Sequence, residues 1–254
     1  MLEDTGVPVK KLLGSSYSRI LTYPVSDKAE AKARIKELSG VGVTALRFHG
    51  LTQIDGIPVL GKGCVGLVTE AVLDGVPVAL KIRRTDANRV SMASEGRLLR
   101  LANSVDVGPR LISATRNFLA MELFDGIPLF RWVERPAARS VTRVKRVLRL
   151  LLASCFRLDA IGLDHGELSH APKNVLINDA GIPCIVDFES ASPVRRPANL
   201  TSLLQYFLFG KISGRIRSSG FNPRRRSVLD ILTGYKKDNS VDNFRSILEV
   251  LQLP

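Results

Sequence analysis

The chain has 254 residues, of which 45% are hydrophobic and 24% are charged, and its 37 Lys+Arg against 24 Asp+Glu give a net charge of +13. This length and apolar content exclude an intrinsically disordered chain and a disulfide-dependent miniprotein, because ample apolar material exists for a hydrophobic core. The basic surplus favours an anionic partner, namely a nucleotide, a nucleic acid or an acidic protein.

Targeting and redox features predict a soluble, cytoplasmic protein. The first residues include Glu3 and Asp4 where a signal peptide carries basic residues, and no apolar core follows them. No run of 18 apolar residues occurs, which argues against a membrane span. The cysteines, at positions 64, 155 and 184, lack the spacing of a zinc site, which favours a reducing compartment.

The N-terminal residues, 1–52, are predicted to form an extension that contains one helix. Asp27 and Glu30 make a capping box, residues 28–38 are rich in helix-forming side chains, and Gly40 supplies a stop signal. A strand is predicted over 41–48.

Residues 53–125 are predicted to be a β-rich half with one helix. Strands are expected over 53–60, and over 67–72 and 76–82 on either side of Asp74-Gly75, the strongest short hairpin signal in the chain. The half is completed by one helix and two short strands, predicted over 88–102, 110–112 and 118–123.

Residues 126–254 are predicted to be a helical half. Apolar side chains recur at helical spacing from Val144 to Cys155, and basic side chains occupy the opposite face. A small hairpin is expected at 175–177 and 184–186. Two further helices are expected over 199–209 and 240–251. The fold class is therefore α+β, and the change in texture suggests two lobes.

A glycine-rich loop carries the first chemical signal. Gly61, Gly63 and Gly66 form a GxGxxG pattern, which is weak alone because a dinucleotide-binding fold uses the same letters. Here β-branched residues follow and the chain returns through Asp74-Gly75, so the loop should join two antiparallel strands. That context is typical of the loop that covers nucleotide phosphates in protein kinases.

A lysine and a glutamate follow in the expected order. Val78-Ala79-Leu80-Lys81 differs by one Leu from the kinase strand that carries the phosphate-binding lysine. Glu95 lies on the apolar face of the next predicted helix, where a carboxylate is costly unless it meets a cation. We therefore predict a Lys81–Glu95 ion pair, the alternative being a partly solvated helix glutamate.

The helical half supplies acids at the places of a catalytic loop and a metal site. His165-Gly166-Glu167 is followed by Asn174, and Asp187-Phe188-Glu189 follows the small hairpin. Because carboxylate oxygens suit a hard cation that bridges phosphates, Asp187 is the firmest predicted Mg²⁺ ligand. His165 is expected to support the loop and not to transfer protons.

Over residues 54–210 these ordered motifs resemble the protein-kinase-like superfamily, in its atypical branch of RIO kinases, KEOPS-associated kinases and aminoglycoside phosphotransferases. The chain looks most similar to a group of archaeal serine/threonine kinases. The resemblance implies a bilobal kinase-like fold and transfer of the ATP γ-phosphate to a hydroxyl, with a protein acceptor favoured over a metabolite. It implies ATP contacts at Gly61, Lys62, Gly63, Gly66, Val68, Ala79, Lys81, Met121, Glu122 and Leu123, catalytic roles for Glu167, Lys81 and Glu95, and Mg²⁺ at Asp187 and Asn174.

Three departures from the family pattern leave alternatives open. Glu167 stands where the family has aspartate, Asn174 follows it by seven residues where the family has five, and Glu189 replaces the glycine of DFG. The chain also has no room for a conventional activation loop. These features keep two other hypotheses: a nucleotide-binding pseudokinase or ATPase-like switch on an RNA or ribonucleoprotein, and a small-molecule kinase.

The basic surplus is concentrated near the C-terminus. Residues 195–254 contain eleven Lys+Arg and four Asp+Glu, more than ATP binding requires. The cluster from Arg224 to Arg226 suggests contact with RNA phosphates, and the alternative is a solvated basic face.

Overall fold

Apolar runs in the first half of the chain form an antiparallel β-sheet in the computed structural model, which describes residues 6–170 and 173–254. The strands of this half are β1 (Val7–Pro8), β2 (Val43–Arg47), β3 (Thr52–Ile54), β4 (Ile57–Val59), β5 (Gly61–Lys62), β6 (Gly66–Leu73), β7 (Val76–Arg83), β8 (Leu111–Ala114) and β9 (Phe118–Glu122). The main sheet has the order β1-β2-β6-β7-β9-β8, and β5 pairs with β6.

Two Asp-Gly turns shape this half. Asp74 and Gly75 have φ values of +49° and +81°, and they connect β6 to β7 as predicted. Both residues of a type I′ turn need positive φ, which Asp-Gly tolerates. Asp55-Gly56 has the same conformation and folds β3 back on β4. The single strand predicted over 53–60 is therefore wrong, because this turn divides it.

The helices of the first half are α1 (Ser18–Thr22), α2 (Lys28–Gly40) and α3 (Ala93–Asn103). Half of the predicted capping box of α2 is present, because Asp27 accepts hydrogen bonds from the backbone N–H groups of Ala29 and Glu30. The Glu30 carboxylate binds Arg34, and the Asp27 N–H donates to Thr22 Oγ1. Leu12, Ile20 and Leu38 share one buried apolar cluster with residues of β6, β7 and β9.

Residues 6–52, the described part of the predicted N-terminal extension, contribute to the main sheet. Strand β2 of this segment pairs with β6, from Val43 opposite Leu73 to Arg47 opposite Glu70. Strand pairing and the shared apolar cluster thus make the described part of this segment one edge of the main sheet. Long-range backbone pairing of this kind is not encoded in the local sequence pattern.

The second half is mostly helical. Its helices are α4 (Leu129–Trp132), α5 (Val141–Ala160), α6 (Asn199–Phe209), α7 (Ser213–Ser218), α8 (Arg225–Lys237) and α9 (Val241–Val250). The strands β10 (Ile127–Pro128), β11 (Val175–Ile177) and β12 (Pro183–Ile185) form a small antiparallel sheet. The apolar stripe of α5 is buried as predicted, and α5 packs against α6.

The chain divides into two units. The first contains the described residues up to Arg100 together with Arg110–Leu123, and the second contains Leu101–Pro109 and Phe124–Pro254. The fold is α+β, with the main sheet in the first unit and most helices in the second. Within the described ranges, no helix has the length and apolarity that crossing a bilayer requires.

Candidate active-site residues in the two units

The glycine-rich loop is a tight connection between antiparallel strands, as predicted. Gly61 pairs with Val68, Lys62 pairs with Leu67, and the Gly63 N–H donates to the Gly66 carbonyl at 2.8 Å. The loop therefore does not open a helix, which excludes the dinucleotide-binding form of this glycine pattern.

Gly66 allows the neighbouring strand to carry a long side chain close to the loop. A Cβ at this position would lie 2.9 Å from Cγ of Lys81 and 2.9 Å from the carbonyl oxygen of Ile82. Both distances are shorter than van der Waals contact permits. Glycine is thus required here by the approach of Lys81.

The ion pair predicted between Lys81 and Glu95 is present. Lys81 Nζ lies 2.8 Å from Oε1 and 3.0 Å from Oε2 of Glu95, and both residues are only 3% exposed. Lys81 lies in the middle of the sheet, opposite Val68 on β6 and Leu119 on β9. A buried cation held by both oxygens of one carboxylate is fixed in direction, so the strand presents it at a defined position.

Lys62 contacts a residue that the sequence did not single out. Its Nζ donates to the Tyr23 hydroxyl at 2.6 Å and lies 4.8 Å from the ring centroid. Arg84 lies over the same ring, and its side chain donates to the Gly63 carbonyl. Tyr23 and Arg84 thus brace the glycine-rich loop, and no local pattern marks Tyr23 for this role.

The predicted adenine-binding segment lies at the end of β9. Met121 pairs with Ala79 and Glu122 pairs with Val78 across the sheet, while Leu123 follows the last residue of the strand. The Glu122 N–H donates to the carbonyl of Arg110 at 2.9 Å. The sheet therefore positions the backbone of this segment.

In the second unit, Glu167 is held through both carboxylate oxygens. Asn174 Nδ2 donates to Oε2 at 3.0 Å, and Ser190 Oγ donates to Oε1 at 2.5 Å. The predicted pair Glu167 and Asn174 is thus brought together despite its longer spacing. Residues 171 and 172 of the intervening loop lie outside the described residues. Ser190 was missed, although it directly follows Asp187-Phe188-Glu189.

His165 supports the loop that carries Glu167. Its Nε2 lies 3.0 Å from the carbonyl oxygen of Val186, its ring lies against Phe188, and its backbone N–H donates to Asn199 Oδ1 at 2.8 Å. Burial lowers the pKa of His165, and the Val186 carbonyl opposes that shift. A neutral, buried imidazole between two chain segments fits the predicted supporting role.

Asp187 and Glu189 bring two carboxylates together. Each contributes an oxygen, and the two oxygens lie within 4.8 Å of each other. Asp187 follows β12 with φ +69° and ψ +71°, an uncommon conformation for a non-glycine residue that occurs at functional sites. Hard oxygen donors at this separation fit Mg²⁺. From the sequence, Glu189 is only a replacement for the glycine of DFG, so its role as a second oxygen donor beside Asp187 was missed.

Asp159 joins α5 to α6 and α8 in a buried network. It accepts hydrogen bonds from the backbone N–H groups of Asn199 and Leu200, from the Asn199 side chain and from the Tyr235 hydroxyl. Burial raises the pKa of Asp159, and these donors oppose the shift. The sequence contains a signal for this buried acid, because Asp159 follows Cys155 by four residues and so lies on the apolar stripe of α5.

The structure therefore gathers the predicted residues in two sets. The first unit contains the glycine-rich loop with Lys81 and Glu95, and the second contains Glu167, Asn174 and Asp187. No known family model matches the chain, and no curated protein matches it with significance. Function is consequently inferred from these residues and their geometry.

Proposed function

We propose that the protein is a cytoplasmic ATP- and Mg²⁺-dependent phosphotransferase, an atypical serine/threonine protein kinase that transfers the γ-phosphate to a protein hydroxyl. The proposal includes the bilobal kinase-like fold that the resemblance implies. Lys81 holds the α- and β-phosphates, the loop from Gly61 to Gly66 covers them, and the backbone of Met121 to Leu123 binds adenine.

The observation that carries the proposal is the buried Lys81–Glu95 ion pair on the strand after the glycine hairpin. Burying both charges costs free energy that an apolar pair would not cost. A fixed lysine beside a glycine-rich loop is what recognition of nucleotide phosphates requires. The order of motifs in the sequence predicts the same pair.

The second unit supplies the remaining chemistry. Asp187 and Glu189 would hold Mg²⁺, with Asn174 as a further oxygen donor, and the cation would neutralise charge on the transferring phosphate. Glu167 orients the acceptor hydroxyl and accepts its proton. Because Ser190 and Asn174 hold separate oxygens of Glu167, they restrain the additional rotatable bond of glutamate relative to aspartate.

The test is transfer of labelled γ-phosphate from ATP by the full chain, to itself and to a panel of protein and metabolite acceptors. Lys81→Ala and Asp187→Asn should each abolish transfer, whereas Lys10→Ala, at an exposed position of the same unit as Lys81, should retain it. Retained transfer in both site variants would overturn the proposal. Transfer to metabolites alone would favour a small-molecule kinase.

A second candidate function is a nucleotide-binding switch without phosphotransfer. The observation that favours it is the occupation of Glu167 Oε1 by Ser190 at 2.5 Å, because an acceptor hydroxyl needs access to that carboxylate. Calorimetric titration with Mg²⁺–ATP separates the candidates. Binding that Lys81→Ala weakens, together with no transfer by the wild type, would support the switch.

A further inference from the structure

Residues 191–229 of the second unit form a segment whose charged side chains are all basic. The segment contains eight Lys+Arg and no Asp or Glu, and all eight basic residues are exposed: Arg195, Arg196, Lys211, Arg215, Arg217, Arg224, Arg225 and Arg226. Among the described residues, only Arg195 of these eight forms an ion pair, with Asp164. The segment therefore carries charge that ion pairs within the described residues do not neutralise, apart from the pair at Arg195.

An exposed aromatic ring lies within this segment. Phe209, the last residue of α6, is 38% exposed, and the guanidinium carbon of Arg225 lies 5.0 Å from its ring centroid. Both α7 and α8 pack against α6. Lys211 lies two residues after Phe209 in the chain, and Arg224 and Arg226 are the sequence neighbours of Arg225. We name Phe209, Lys211 and Arg224 to Arg226 the Phe209 surface.

The arginine and aromatic side chains of the Phe209 surface favour a nucleic acid over other anionic partners. Arginine presents a planar fork that binds phosphate oxygens in bidentate fashion, and seven of the eight cations are arginine. Nucleobases stack on aromatic rings and on guanidinium planes, a contact that an acidic peptide does not require. A duplex hides its base faces, so the partner needs unpaired bases.

We propose that the Phe209 surface binds single-stranded nucleic acid, with phosphates at the arginines and one base stacked at Phe209 and Arg225. This inference does not rest on the proposed phosphotransfer, because it uses no residue assigned to ATP, magnesium or the acceptor. It assigns part of the basic surplus to Lys211, which lies between α6 and α7, and to Arg224 to Arg226 at the start of α8.

The experiment measures fluorescence anisotropy of a labelled 20-nucleotide single strand, as RNA and as DNA of the same sequence, with the full chain. The variant Arg224→Gln/Arg225→Gln/Arg226→Gln should bind at least tenfold more weakly. Its plot of log affinity against log salt should lose about 2 units of slope, since each phosphate contact to a single strand contributes about 0.7. The matched control Arg143→Gln/Arg146→Gln/Arg149→Gln removes the same charge from exposed positions of α5 and should change affinity less than threefold.

Stacking of a base on Phe209 is tested with substitutions that leave the net charge unchanged. Phe209→Leu should weaken binding by about tenfold, and Phe209→Tyr, which keeps the ring, should retain wild-type affinity. Circular dichroism checks that each variant is folded. Equal weakening in the two triple variants would overturn the proposal in favour of general charge attraction, as would wild-type affinity in Phe209→Leu. Stronger binding of polyglutamate, of a duplex or of anionic vesicles than of the single strand would also overturn it.

Discussion

Lys81 and Glu167 reach their positions by different physical means. Lys81 lies in the central part of an antiparallel sheet, where pairing on both sides determines which way its side chain points. Glu167 lies outside the regular helices and strands, and hydrogen bonds from Asn174 and Ser190 hold its carboxylate. The first unit thus positions a charge by strand register, and the second positions one by a polar network.

The likeness of the sequence to the kinase pattern also differs between the two units. The glycine loop, Lys81 and Glu95 keep the expected types and order, because a one-residue shift in a paired strand would turn the lysine to the other face. The departures at Glu167, Asn174 and Glu189 fall in the second unit, whereas the departure in the first unit, at Leu80, is a conservative apolar change. A loop network tolerates an added methylene or two added residues if new hydrogen bonds form.

The largest expected effect on stability comes from breaking the buried ion pair between Lys81 of the sheet and Glu95 of α3. Lys81→Ala leaves the Glu95 carboxylate buried beside the vacated site, and it should lower the free energy of unfolding by about 3–5 kcal/mol. The double variant Lys81→Met/Glu95→Leu should recover most of this stability. Denaturant unfolding measures both. The exposed pair of Arg245 and Asp242 supplies a control, since Arg245→Ala should cost under about 0.5 kcal/mol. Equal costs for Lys81→Ala and the double variant would contradict the explanation.

The polar network of the second unit is tested at Asp159. Asp159→Asn replaces an oxygen acceptor with an N–H₂ donor facing the donors Asn199, Leu200 and Tyr235, so one buried group loses its partner. The expected loss is about 2–3 kcal/mol of unfolding free energy. The exposed Asp179→Asn is the matched substitution and should change stability by less than about 0.5 kcal/mol. A loss at Asp159 no larger than at Asp179 would show that the network does not stabilise this unit.

The role of Ser190 is tested by activity. If the proposed phosphotransfer is correct, Ser190→Ala releases one oxygen of Glu167 and should lower kcat by about tenfold with little change in KM for ATP, because orientation and not nucleotide binding is lost. Ser190→Thr retains a hydroxyl and should retain most activity. An unchanged kcat in Ser190→Ala would remove Ser190 from the positioning of Glu167.

The smallest expected effect is pH dependence from His165. Burial lowers its pKa in the folded state below the usual value of 6.5, so the unfolded chain takes up a proton first as the pH falls. The neutral imidazole costs the folded state nothing well above pH 6.5, and the folded state is destabilised as the pH falls below that value. Between pH 7 and 6 this group should therefore lower the free energy of unfolding, because the unfolded chain binds the proton more readily than the folded chain. His165→Gln does not titrate, so denaturant unfolding should show a smaller loss over the same interval. Equal pH profiles would contradict a buried, neutral His165.

Sequence reasoning performed best where the signal was local. The Asp74-Gly75 hairpin, the Asp27 cap and the buried stripe of α5 each depend on residues a few positions apart, and each is present in the structure. The Lys81–Glu95 pair spans fourteen residues, yet it was predictable because an acid on an inward helix face needs a cation.

Sequence reasoning failed where local signals were absent or misread. Helix α8 begins after Arg224, which provides no side-chain cap, and its first turn contains no acid, so the usual start signals are missing. The turn at Asp55-Gly56 had its signal but lay within an otherwise strand-like run.

The sequence by itself determined the α+β class, the glycine hairpin and the pairing of Lys81 with Glu95, because propensity, turn chemistry and burial of charge act over short distances. Only the tertiary structure decided that β2 joins the main sheet, that Tyr23 braces the glycine-rich loop and that Ser190 holds Glu167. Those contacts join residues 23 to 39 positions apart. They depend on how packed elements meet, which no local pattern encodes.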